Sequence, residues 1–216
     1  MKKAAAAIVL AISLNLIWAD CPPETTFAAV SSHPRIYLTS SKLTALTNKA
    51  NANTSDYSRW KSLIDGGGGG VKDRALMYKI TGNTSYRTSA LAALSTAYAS
   101  APAADCTQAS YNFIDNQDAY NGYISDVAIG YDWLYNDLTS TEQSNYRQFL
   151  VDRMTCIEGY LSASTDWTPY ANYLLQAMRL LYMSGVAIHG DHASAQSYID
   201  AADSIYTGKL YPTLST

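Results

Sequence analysis

Charge is scarce in this chain of 216 residues. Charged side chains make up 15% of it, below the quarter usual in globular domains. They nearly balance, 15 basic against 18 acidic, for a formal charge of -3. No run of five or more basic residues occurs, so the electrostatic footprint of a nucleic-acid binder is missing. Glycine and proline are few, 12 and 6 residues, which excludes collagen-like and low-complexity chains. An apolar content of 48% is too high for a disordered chain of low net charge. Regular alternation of apolar and polar residues is absent too, so no segment reads as a half-buried strand. Tyrosine is in excess: 18, against 4 tryptophans and 3 phenylalanines. The length suits one domain, two at most.

Residues 1–19 read as a secretory signal: Lys2 and Lys3, an apolar run from Ala4 to Leu14, and the small Ala19 at the cleavage point. The alternative is a membrane anchor, for which the run is short of the roughly 20 residues needed. Asp20 argues against lipidation of Cys21. Loss of Lys2 and Lys3 with the signal takes the formal charge from -3 to -5. The mature chain is expected in the periplasm or outside the cell, with no membrane partner once the signal is gone. Export permits disulfides. Of Cys21, Cys106 and Cys156, the preferred pair is Cys106–Cys156, because Cys21 sits in a loose N-terminus; three free thiols are the alternative. No CxxC or Cys/His cluster has zinc spacing, and neither a metal nor another cofactor is expected.

Residues 20–38 form an irregular entry segment, since Pro22, Pro23 and Pro34 block helix. From 39 to 216 the chain reads as one helical domain. Thr39 or Ser40 caps a helix to about Ala52, and Ser55 or Asp56 starts another through Ile64. Gly66–Gly70 ends it and is expected to be a flexible loop. Three helix pairs then begin near residues 71, 120 and 168, a step of about 48 or 49 residues, the mark of a repeat array or helical toroid. Gly82-Asn83 stops the first helix of the first pair. Ile124, Val127, Ala128, Tyr131 and Leu134 form an apolar stripe in the second, and Thr139 with Glu142 makes a capping box before its partner. Leu174, Ala177, Leu181 and Ile188 form the stripe of the third. The fold class is all-α.

Five segments, in order, carry a resemblance. They are His33-Pro34-Arg35-Ile36-Tyr37-Leu38-Thr39; Ala75 to Asn83 with Tyr86; Ala128 to Tyr135 with Leu138, Thr139 and Glu142; Asp166-Trp167 with Asn172; and Ala187 to Asp191. Together they resemble the entry segment and successive hairpins of the heparinase II/III-like and alginate-lyase-like polysaccharide lyases, from about residue 33 to the end. The resemblance implies an incomplete α/α toroid of helical hairpins, an acidic polysaccharide as partner, and β-elimination as the reaction. That chemistry needs a donor to neutralise the uronate carboxylate. It also needs a Tyr or His as base and another as acid.

The resemblance places the carboxylate-neutralising amide at Asn172. Some relatives have His directly after it, where this chain has Tyr173, so Asn172 and Tyr173 are the candidate catalytic pair and the base stays open. The family's main catalytic Tyr and further His lie in later hairpins, and the chain alone is expected to be truncated and inactive, or to self-associate through an open helical face. Trp167 and Tyr170 cluster at the start of one helix, and Tyr120, Asn121 and Tyr123 one repeat earlier. Aromatic faces stack on sugars and amides bond hydroxyls; helix capping and gap filling are the plain alternative for these residues. A hydrolase on the same scaffold would need paired carboxylates, for which Asp126 and Asp166 are candidates; a non-catalytic glycan-binding or scaffold module is the third possibility. His189 and His192 flank a tight turn and read as caps, not metal ligands. His33 reads as structural, and Asp132 with Trp133 as stabilisers of the fold.

Overall fold

A computed structural model describes residues 32–104, 106, 117–163 and 172–211, with backbone alone at 117–121, 160, 162–163 and 172–173. The described residues hold eight α-helices and no strand, so the protein is all-α. The helices are α1 (Ser40–Asn51), α2 (Ser55–Asp65), α3 (Val71–Thr81), α4 (Thr84–Ser100), α5 (Gln117–Leu134), α6 (Ser140–Ala163), α7 (Asn172–Ala187) and α8 (Ala195–Ile205).

Local chemistry sets most of these bounds. Thr39 and Thr54 accept backbone N–H groups of Lys42 and Tyr57 at the starts of α1 and α2. Gly82 closes α3 in the left-handed conformation (φ 67°), and Asn83 caps α4 by accepting the Ser85 amide at 2.8 Å. The predicted capping box opens α6: Thr139 N donates to Glu142 Oε2 at 2.8 Å, and Glu142 N to Thr139 Oγ1 at 3.3 Å. The second pair starts three residues earlier than expected, at Gln117. The glycine run is not the loose loop the composition suggests. Arg74, one turn into α3, turns back and donates to Gly69 O at 3.0 Å and Gly67 O at 2.7 Å, while Asp73 accepts the Gly70 amide.

Long-range contacts then fix how α3, α5 and α7 lie. Tyr78, in the last turn of α3, donates to Asp137 just past the end of α5. Tyr131, in the last turn of α5, donates to Asp191 just past the end of α7. The C-terminal ends of the three helices therefore share one end of the molecule. Away from that end Gly70, ahead of α3, lies beside Asp126 in the middle of α5. α5 packs against both α3 and α7, while α4, α6 and α8 each pack on the helix before them.

A continuous core runs between these helices. It includes Leu94 from α4, Ile124, Val127 and Tyr131 from α5, Leu150 and Met154 from α6, Leu181 from α7 and Ile199 from α8. Each such aliphatic side chain contributes about 2 kcal/mol through burial. Gly130 lets α5 approach closely, because a Cβ there would lie 2.6 Å from Leu94 Cδ1 and 2.9 Å from Val71 Cγ1. A smaller cluster of Ile64, Met77 and Ile80 seats α1 and α2 against α3.

Cys106 and Cys156 are disulfide-bonded, with Cα atoms 5.0 Å apart. The bond ties the chain after α4 to α6. Arg153 of α6 clamps the same stretch: its Nη2 donates to Pro102 O at 2.5 Å, and the guanidinium lies 3.4 Å from the Phe149 ring centroid. Among the described residues no helix is long and apolar enough to cross a membrane.

Candidate functional site

Two polar regions stand out, one at each end of the α3–α5–α7 layer. At the C-terminal end three of the motif segments meet. Asp132, fully buried, accepts the backbone amide of Arg35 at 2.9 and 2.8 Å and that of Ile36 at 2.7 Å. Its Oδ1 also takes His33 Nδ1–H at 2.6 Å. The other ring nitrogen of His33 lies 2.9 Å from Asp191 Oδ2. That oxygen receives Arg35 Nη1 at 2.9 Å and the Tyr131 hydroxyl at 3.0 Å as well, and Arg35 Nη1 also donates to Ala187 O. The imidazole stacks on Tyr135 at 3.8 Å between centroids. Trp133 Nε1 donates to Ile36 O at 2.9 Å.

The electrostatics follow from this packing. Burial alone would push the Asp191 carboxyl up, but the donors from Arg35, Tyr131 and His33 outweigh it and hold Asp191 below the ordinary carboxylate value. Burial, with the charge of Asp191 beside it, pushes the Tyr131 hydroxyl well up. With its phenol locked neutral and its proton committed to Asp191, Tyr131 is no base. The cluster is closed, and its charges face one another. It acts as a clasp between the entry segment and the helix ends. His33, Asp132 and Trp133 have the structural roles the sequence suggested. Arg35 was not singled out there, because its two carbonyl and carboxylate partners lie more than 150 residues away. His192 also behaves as a cap, its Nδ1 accepting the Ser194 amide at 3.2 Å.

The N-terminal end holds the residues expected to act on a ligand. Asn172 and Tyr173 are the first two residues of α7, and Tyr120 and Asn121 lie in the first turn of α5. Because α5 and α7 share their C-terminal end, these helix starts fall toward the same opposite end. The side chains of these four, and the whole of Trp167, Tyr170 and Asp166, lie outside the described residues. Tyr123 is described: half-buried, it lines a groove of about 460 Å³ with Asp126, Gly70, Arg74, Ser89 and Thr96.

Asp126 sits one helical turn past Tyr123, on the same face of α5. Burial pushes its carboxyl up, Lys72 pulls it back, and Asp73 pushes it up again. Asp73 is not a free second carboxylate, since it accepts the Gly70 amide at 3.1 Å and Trp60 Nε1 at 3.4 Å. The sequence offered Asp126 only as half of a hydrolytic pair; its i, i+3 relation to Tyr123 was the signal for this groove. Among the described residues no group of three His, Cys, Asp or Glu side chains could hold a metal ion.

What the fold and these two regions define is an all-helical protein with a closed polar clasp at one end and an open polar groove at the other. No protein-family model matches the chain, and no curated protein matches it either.

Proposed function

We propose that this protein is an exported, polysaccharide lyase-like protein on an incomplete α/α toroid, acting on a uronate-containing glycan by β-elimination. The observation that carries the reading is the clasp. Three of the five segments that resemble the lyases, His33–Thr39, Ala128–Tyr135 and Ala187–Asp191, are far apart in sequence yet meet around Asp132 and Asp191. Independent motifs have no reason to converge; parts of one architectural signature do. The same-direction layer of α3, α5 and α7, with α4, α6 and α8 returning, is the arrangement an α/α toroid requires. The Cys106–Cys156 bond fits an oxidising compartment.

In this reading Asn172 donates to the uronate carboxylate so that charge can build on it as the neighbouring proton leaves. Tyr173 follows it in the chain, and the groove with Tyr123 and Asp126, further along α5, continues the glycan path. A hydrolase finds less support, because Asp73, the carboxylate that acts on Asp126, is already spent as a cap.

The test is ultraviolet absorbance of unsaturated product from the complete gene product on alginate, heparan and chondroitin. Elimination that disappears in Asn172→Ala is expected. New reducing ends without a double bond would mean hydrolysis. Binding without product, unchanged by Asn172→Ala, would mean a glycan-binding or scaffold module.

A further inference from the structure

The groove between the start of α3, the middle of α5 and the facing side of α4 has an unusual balance of hydrogen-bonding groups. Asp126 is half-buried, yet it accepts no hydrogen bond from any described residue, and the Tyr123 hydroxyl makes none either. Thr96 spends its proton on Ala92 O and Ser89 receives Arg74 Nη1, so both still offer lone pairs to the groove. Arg74 is itself occupied by Gly67 O, Gly69 O and Ser89. The floor between is of small residues, including Gly70, Ala93 and Ala97. The wall therefore offers acceptors at Asp126 and Thr96 and donors at the Tyr123 and Ser89 hydroxyls, the mixture that a polyol's hydroxyls can meet. A half-buried carboxylate without donors is costly, and a ligand that brings donors recovers that cost.

We propose that this groove is a binding site for an uncharged sugar ring. Asp126 accepts two of the ring's hydroxyls, and the Tyr123 ring covers one of its faces. Charge settles the ligand class. A second carboxylate, such as that of a uronate, would be brought against Asp126 in a partly dry site and repelled. A cationic ligand would meet Arg74 and Lys72. A neutral polyol matches both, and a volume of about 460 Å³ holds one or two pyranose rings. The inference rests on the glycan reading for its choice of sugars among polyols. It adds that this position of the glycan path takes a neutral residue and excludes a uronate.

Titration of the purified chain with cellobiose and with a dimannuronate, followed by amide NMR, tests it. Cellobiose should shift the amides of Gly70, Ala93 and Tyr123, and dimannuronate should bind at least about tenfold more weakly. Asp126→Asn should weaken cellobiose about tenfold and bring the two sugars to parity. Ala93→Trp, which fills the groove from α4 without touching Asp126, should abolish cellobiose binding with the far-UV CD spectrum unchanged. Equal affinity for the two sugars in the native protein, shifts confined to other residues, no shift with either sugar, or indifference to a folded Ala93→Trp would each overturn the proposal. Failure of the elimination reading is separate: absence of unsaturated product from the complete gene product, beside intact cellobiose binding, removes the reaction and leaves the groove.

Discussion

The two ends of the α3–α5–α7 layer handle polar groups in opposite ways. At the clasp, both oxygens of Asp132 and Oδ2 of Asp191 are committed to donors from His33, Arg35, Ile36 or Tyr131. At the groove, Asp126 is half-buried and accepts no hydrogen bond from a described residue. A buried network repays its desolvation only when its members are satisfied, so the clasp, whose charges pair with one another, contributes to stability. The groove carries an unmet demand, which weakens the fold slightly and is what a binding surface requires.

The largest effect is expected from Asp132→Ala. It strands two backbone amides and a buried histidine, and should cost about 4 kcal/mol in denaturant unfolding at neutral pH. A change as small as that expected of Asp126→Asn would erase the distinction between the ends. Next comes reduction of Cys106–Cys156. The bridge spans 50 residues, and opening it should cost about 3 kcal/mol. Proteolysis after α4 should quicken in parallel; unchanged cleavage there would show that Arg153 alone holds the stretch.

Acid sharpens the contrast because the two carboxylates carry opposite signs. Asp191 is held below its unfolded value of about 3.9. Its contribution is therefore present above about pH 4 and is lost as pH falls through the folded value. Asp126 is raised, so its effect is favourable below about pH 4 and is lost as pH rises through its folded value. Melting temperature against pH should show Asp191→Asn flattening the acid limb. Asp126→Asn should stabilise the protein at pH 7 by less than about 1 kcal/mol. The same sign of change in both variants would break the comparison. The smallest effect is at Tyr37, exposed and in the left-handed region at φ 57°. Tyr37→Asn should raise stability by about 0.5 kcal/mol, since asparagine tolerates that conformation; a loss would mean that the tyrosine ring packs usefully.

Features set by neighbouring residues were legible in the sequence. The Thr139–Glu142 box, the Gly82 stop and the Thr39 cap involve partners within four positions, and all fall where expected. Cys106–Cys156 was a choice between few pairings. The clasp was legible only as residue types, because its bonds join positions 60 to 158 apart, and no local pattern encodes such distances. The glycine run misled for a related reason: composition reports backbone freedom, while Arg74, a side chain on the next helix, removes it. Of the candidate site, Tyr123 and Asp126 could be joined by helical spacing. That Arg74 and Ser89 stand across from them depends on how α3 and α4 pack.

The reach of the clasp also orders events in time. A chain made from its N-terminus produces His33 and Arg35 early and Asp191 only 158 and 156 residues later. Until then the entry segment has no partner that can take both its imidazole and its guanidinium. Loop closure over such a span comes late in folding, after the local helices exist. The first-made part of the domain is thus the last to be locked, and fastening it certifies that the helices between have assembled in the right order.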